Sequence, residues 1–111
     1  MARQLTTAVE IAGAPPTPLH RHLAEAFGGA LVRSEQQPRF EMFTVQRDRP
    51  AEFRLAVSHA LLEARGYKGV LDIVERCRVV ARMREHVGRA IALELEEPSG
   101  LTLVHVLGTE P

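Results

Sequence analysis

Four arginines lie close together in residues 70–86, and their spacing could build a site for an anion. If this stretch is a β-strand, side chains alternate between its two faces, and one face carries Arg76, Arg78, Arg82 and Arg84. Such a row of guanidinium groups binds carboxylate or phosphate through paired hydrogen bonds. If the stretch is a helix, it has an apolar stripe and the arginines scatter around the axis. The regular alternation from Arg76 to Arg84 favours the strand, although the stretch is long for one.

Acidic residues on the neighbouring predicted strands extend this candidate site. Glu94 and Glu96 share a face of a strand at residues 90–96, and Glu10 projects from a first strand at residues 5–11. Carboxylates beside arginines can hold Mg²⁺ on a bound phosphate. The same residues can equally form cross-strand ion pairs on a solvated face. The sequence leaves both interpretations open.

His105 completes the predicted ligand-binding set, because a simple hairpin register places it opposite Glu94 or Glu96. The other histidines build no metal site, since His20 and His22 diverge on a helix. Cys77 is the only cysteine, and the strand interpretation places it in the core as a small hydrophobe. No complete catalytic motif is present, so catalytic residues stay unassigned. An enzyme of this sequence would act on a phosphorylated or anionic small molecule.

Composition predicts one domain over residues 1–111, within a soluble cytoplasmic protein that has no membrane segment. The chain has 14 basic and 14 acidic residues, which disfavours a general polyanion binder. Nucleic acid is also disfavoured because the chain has one tyrosine and no tryptophan for base stacking. Phe40 and Phe43 are expected on opposite faces of one strand.

The predicted fold class is α+β, with an antiparallel-dominated sheet of about five to six strands and two packed helices. A first helix begins at Thr17-Pro18 and ends at Gly28-Gly29. The remaining predicted elements are strands at 30–35 and 40–47, a helix at 51–65, the strand at 70–86, and a hairpin of 90–96 with 101–107. The order is β-α-β-β-α-β-β-β. Leu55 and Leu62 form a second stripe on the 51–65 helix, which is either scattered surface or a contact for a partner.

Several segments in this order resemble a CYTH domain, the triphosphate-tunnel family of class IV adenylyl cyclases and thiamine triphosphatases. The segments are AVEIAG, LVRSEQQPRFEMF, VERCRVVAR and ALELEEPSGLTLVHV. The family signature E-x-E-x-K corresponds here to Ala8, Glu10 and Ala12, so the resemblance is to a shortened, degenerate member. It implies anion binding, with magnesium as the cofactor if the anion is a phosphate.

Three classes of function follow from the sequence. The first is a protein that binds an anion or small molecule on an Arg/Glu-lined sheet face, including a degenerate triphosphate-tunnel protein. The second is a non-enzymatic oligomeric module that pairs with a second copy or another protein through a sheet edge or the Leu55/Leu62 stripe. The third is a ferredoxin-like domain that binds RNA or regulates a larger complex.

Overall fold

The computed structural model describes residues 17–46, 52–96 and 99–107. The predicted strand at residues 5–11, with Glu10, lies outside the described residues. The elements, in chain order, are α1 (Pro18–Ala26), β1 (Leu31–Gln36), β2 (Phe40–Gln46), β3 (Glu52–Ser58), α2 (His59–Arg76), α3 (Val79–Glu85), β4 (Ala90–Leu95) and β5 (Thr102–Val106).

The strands form a single sheet in the order β1-β2-β3-β4-β5. Every neighbouring pair is antiparallel except β3 and β4, which are parallel and joined through α2 and α3. The α+β class and the mostly antiparallel sheet are therefore confirmed. The described residues contain three helices, where the sequence predicted two.

The first helix forms where its cap signals predict. The Thr17 hydroxyl accepts a hydrogen bond from the backbone N–H of His20, and Pro18 occupies the first turn. Leu19, Leu23 and Phe27 are buried on one side of this helix. Gly28 follows with a positive φ, which ends the helix at little conformational cost.

The predicted helix at residues 51–65 is wrong in its first half, which forms β3. Its apolar residues fit either period, because Phe53, Leu55 and Val57 alternate as in a strand, whereas Phe53, Val57 and Leu61 recur at helical spacing. Pairing with β2 and β4 on both sides decides for the strand. Leu55 is consequently in the core, and the Leu55/Leu62 stripe does not exist as a helical surface.

The predicted strand at residues 70–86 is also wrong. Residues 70–76 complete α2, and α3 follows after a short joint at Cys77 and Arg78. The residues buried from these helices recur at helical spacing, and they are Val70, Ile73, Val74, Val79 and Met83. Burying this apolar stripe outweighs the alternation of the arginines. Cys77 is exposed rather than in the core.

The two faces of the sheet have different environments. The helices pack on one face, where the main core includes Phe43, Leu55 and Ile91. The opposite face, here called the open face, has a small cluster without any helical residue, formed by Phe40, Ala56, Ala90 and Ala92. Phe40 and Phe43 are thus on opposite faces, as predicted. Within the described ranges, no helix has the length and apolar character needed to cross a membrane.

Candidate functional site

The structure brings two predicted site residues together on the open face. Glu94 lies on β4 and His105 on β5, with His105 Nε2 2.7 Å from Glu94 Oε2. The register pairs His105 with Ala92 and Glu94 with Leu103, so the contact is diagonal across the two strands. The predicted register, with His105 opposite Glu94 or Glu96, is wrong because His105 opposes Ala92, and the side chains of His105 and Glu94 meet diagonally. Glu96 stays in the hairpin connection, where its carboxylate accepts from the Ser99 hydroxyl at 3.2 Å.

Sequence reasoning missed the third member of this group. Arg39 donates from a terminal guanidinium nitrogen to Glu94 Oε1 at 2.5 Å, and its guanidinium also lies over the Phe40 ring. The Glu94 carboxylate is largely buried between a guanidinium and an imidazole. We call Arg39, Glu94 and His105 the Glu94 cluster. Arg39 and Glu94 are 55 positions apart, and no local pattern connects them.

A cleft of about 300 Å³ adjoins the Glu94 cluster at the start of α2; its lining residues are Pro38, Arg39, Ser58, His59, Ala60, Glu94 and Leu95. Ser58 caps α2, because its hydroxyl accepts from the Leu61 N–H at 3.0 Å. The His59 ring bonds to the Gln37 carbonyl at 2.8 Å, and its backbone N–H donates to the Arg39 carbonyl. These bonds fix the loop that carries Arg39 against the end of the sheet.

The four predicted arginines do not form one cationic face. Arg76 pairs with Asp72 one turn earlier in α2, with 2.9 Å between nitrogen and oxygen. Arg84 donates to the Ala26 carbonyl at 2.6 Å, which satisfies a backbone acceptor at the end of α1.

The other two of these arginines lie at the start of α3 and within it. Arg78 occupies the left-handed joint before α3 with a φ of 54°. Arg82 and Arg84 are two positions apart and face different sides of α3. The proposed row depended on the strand interpretation and is absent from the fold.

His20 and Ser34 resemble a histidine base beside a serine nucleophile, with 2.9 Å between His20 Nε2 and Ser34 Oγ. The other ring nitrogen, Nδ1, lies 3.1 Å from the backbone N–H of Thr17. A backbone N–H only donates, so Nδ1 is the acceptor and the neutral ring carries its proton on Nε2. His20 therefore donates to Ser34 and does not activate it as a base. The pair fastens α1 to β1.

Burial lowers the pKa of His20 below its usual 6.5, with the Glu41 charge acting in the opposite direction. As the pH falls, the His20 ring therefore becomes protonated at a higher pH in the unfolded chain than in the native protein. We expect the free energy of unfolding to fall as the pH drops below about 6.5 and to level off below the native pKa. Urea unfolding between about pH 7.5 and pH 5 measures this dependence.

The matched control for this pH dependence is His20→Gln, which keeps a polar side chain at the capping position and does not titrate. The difference between the two proteins isolates His20 from the other titrating groups. Equal slopes in the wild-type protein and in His20→Gln would contradict the assignment.

The outer edge of the described sheet at residues 101–104 has an unusual composition. Glu96 N–H donates to the Leu101 carbonyl, and Leu107 N–H donates to the Ala90 carbonyl. Odd-numbered residues of β5 thus bond to β4, and the backbone groups of Thr102 and Val104 point away from the sheet. Leu101 is 63% exposed and Leu103 is 44% exposed.

The two edges of the sheet differ in charge. β1, at the opposite edge, carries Arg33 and Glu35, whereas β5 has no acidic residue, lysine or arginine. We call residues 101–104 the β5 edge. It is the apolar edge of the described sheet.

Known proteins add no information about this site. Comparisons with family models, curated proteins and solved structures find no match. The described residues also contain no group of three or more histidine, cysteine, aspartate or glutamate side chains arranged to hold a metal ion. The resemblance to a CYTH domain stays a prediction.

Proposed function

We propose that this protein is a non-enzymatic interaction module that self-associates by pairing the β5 edge of one copy with that of a second. The observation that carries the proposal is the composition of this edge. It combines two exposed leucines, backbone groups that point away from the sheet, and the absence of formal charge. This is the second of the three functions inferred from the sequence, and the scattered arginines give the first no comparable support.

The contrast between the two edges supports this proposal. Soluble proteins protect exposed edge strands with charges, prolines or bulges, because an unprotected edge recruits another strand. Arg33 and Glu35 provide that protection on β1. The β5 edge has no equivalent, and Leu101 and Leu103 add apolar surface beside the backbone groups. Such an edge is suited to receive a strand.

A second copy of the chain fits this edge in chemistry. Two antiparallel β5 strands place uncharged residues opposite uncharged residues, so no like charges meet. Val104 is half-buried at the margin of the main core, and a second strand would extend its cover. A two-fold pairing also closes on itself, because the same edge is used in both copies. One pair of strands is a small interface, so we expect a dissociation constant on the order of micromolar.

Sedimentation equilibrium over a range of protein concentrations tests the proposal. The mass of the wild-type protein should rise from 12.3 kDa towards twice that value. Leu103→Lys should raise the dissociation constant at least about tenfold, because pairing of the edges would remove water from the lysine ammonium group. The matched control is Leu31→Lys on β1, since Leu31 is 46% exposed and Leu103 is 44% exposed.

Two outcomes would overturn self-association through β5. One is a wild-type mass that stays at the monomer value at every concentration. The other is a loss of association in Leu31→Lys as large as that in Leu103→Lys. Hydrogen exchange gives a second readout, since amides of Thr102 and Val104 should gain protection as concentration rises. Protection that is independent of concentration would show that the chain itself covers the edge, and would also contradict the proposal.

A further inference from the structure

We infer that the two copies pair with Leu103 on the two-fold axis, so that the partner's Leu101 lies against His105 and completes the Glu94 cluster. The inference rests on the proposed self-association and adds the register of the strands. It makes the Glu94 cluster a composite site, with Arg39, Glu94 and His105 from one copy and a leucine from the other.

The alternation of strand side chains limits the choice of register. Directly opposed residues of two antiparallel strands point to the same face of a sheet. In a two-fold pair, the open-face residues of β5 must therefore oppose open-face residues, and the axis passes through a residue rather than between two. The candidates are Thr102, Leu103, Val104 and His105.

Three of these candidates use the outward backbone groups of Thr102 and Val104 less fully. An axis at Val104 pairs Thr102 with Val106, and an axis at His105 pairs Val104 with Val106, which already has another interaction. An axis at Thr102 places Gly100 opposite Val104. Gly100 is not extended, because its φ is 78° and its N–H donates to the Glu96 carbonyl at 2.7 Å.

The axis at Leu103 draws its hydrogen-bonded pairs from Thr102 and Val104 alone. Thr102 of each copy then opposes the partner's Val104, and these two residues exchange backbone hydrogen bonds on both sides of the axis. Leu103 meets the partner's Leu103 in the closer type of antiparallel pair, with about 4.5 Å between Cα atoms. Leu101 meets the partner's His105, so both exposed leucines of the edge are covered.

The Glu94 cluster gives this register its specificity. Glu94 holds the His105 ring on the open face through the 2.7 Å contact, and Arg39 holds Glu94. With the axis at Leu103, the partner's Leu101 lies directly opposite His105 and on the same face of the sheet. His105 is thus a positioning residue for the pairing.

Disulfide crosslinking tests the register directly. Cys77 is the only cysteine and is exposed, so Cys77→Ser gives a cysteine-free background. In that background Leu103→Cys should form a disulfide-linked dimer under mild oxidation, at least about tenfold faster than Val104→Cys or Thr102→Cys. An equimolar mixture of Leu101→Cys and His105→Cys, which keeps Leu103, should form the mixed dimer faster than either variant alone forms its own.

The outcomes separate this inference from the proposed function. Association of the wild-type protein with fastest crosslinking through Val104→Cys would overturn the register and leave self-association standing. Association with no crosslinking of Leu103→Cys and no mixed dimer would do the same. A wild-type protein that stays monomeric in sedimentation would overturn both.

Discussion

Replacing Tyr67 by phenylalanine should lower the free energy of unfolding by about 1–3 kcal/mol. The Tyr67 hydroxyl donates to Glu41 Oε1 at 2.6 Å, and Glu41 is only 4% exposed. The substitution removes the hydrogen-bond donor of the buried Glu41 carboxylate. That bond partly offsets the free-energy cost of removing the carboxylate from water. Urea unfolding at neutral pH measures the effect.

The control for Tyr67→Phe is the same substitution in a Glu41→Gln background. Without the carboxylate charge the lost hydroxyl should matter less, so the coupling between the two sites is measured by a double-mutant cycle. A Tyr67→Phe protein within about 0.5 kcal/mol of wild type would contradict the role assigned to this bond.

The pKa of Tyr67 provides a check on the same bond. Burial, followed by the hydrogen bond and the charge of Glu41, raises the pKa of Tyr67 to about 12 from its usual 10.0. The native state therefore holds this proton more tightly than the unfolded state does. The stability that the bond contributes is fully present below about pH 10 and is lost as the pH rises towards 12.

Gly66→Ala should destabilise the protein by about 1–3 kcal/mol. Gly66 has a φ of 70° and a ψ of 171°, and this break inside α2 precedes Tyr67. An added Cβ would meet no atom within 4 Å, so the cost comes from the backbone conformation and not from a clash. Non-glycine residues rarely adopt this region. Urea unfolding measures the loss.

A spectroscopic readout accompanies Gly66→Ala. Tyr67 is the only tyrosine, and the chain has no tryptophan. The tyrosine band of the near-ultraviolet circular dichroism spectrum therefore reports on Tyr67. We expect that signal to change in Gly66→Ala. The matched control is Lys68→Ala in the same helix, which should change neither stability nor the signal. Wild-type stability and an unchanged signal in Gly66→Ala would show that α2 can run straight through this position.

Local signals were sufficient where they were unambiguous. Thr17-Pro18 and Gly28 bound α1 because caps act through adjacent backbone groups. The hairpin of β4 and β5 was predicted from two alternating segments around a short connection, and it brought Glu94 near His105. These features depend on residues that are close in sequence, and a sequence pattern carries that information.

Long-range pairing decided the features that the sequence did not predict. Residues 52–58 fit both a helix and a strand, and β3 forms because two neighbouring strands hydrogen-bond to it. The arginine alternation between Arg76 and Arg84 was an incidental pattern on a helical surface. Arg39 joined the candidate site only through tertiary structure, since its partner Glu94 is on a distant strand.

The parallel contact between β3 and β4 has a consequence for how the chain folds. In the described sheet, β3 and β4 are the only neighbouring strands that are separated in the chain by two helices. Short connections join β1 to β2, β2 to β3, and β4 to β5. The sheet therefore consists of two local units, and closing the segment between them costs chain entropy before the strands can bond. We expect the docking of these two units to be the slow step of folding. Until docking occurs, one side of β3 and one side of β4 lack the partner that each has in the native sheet.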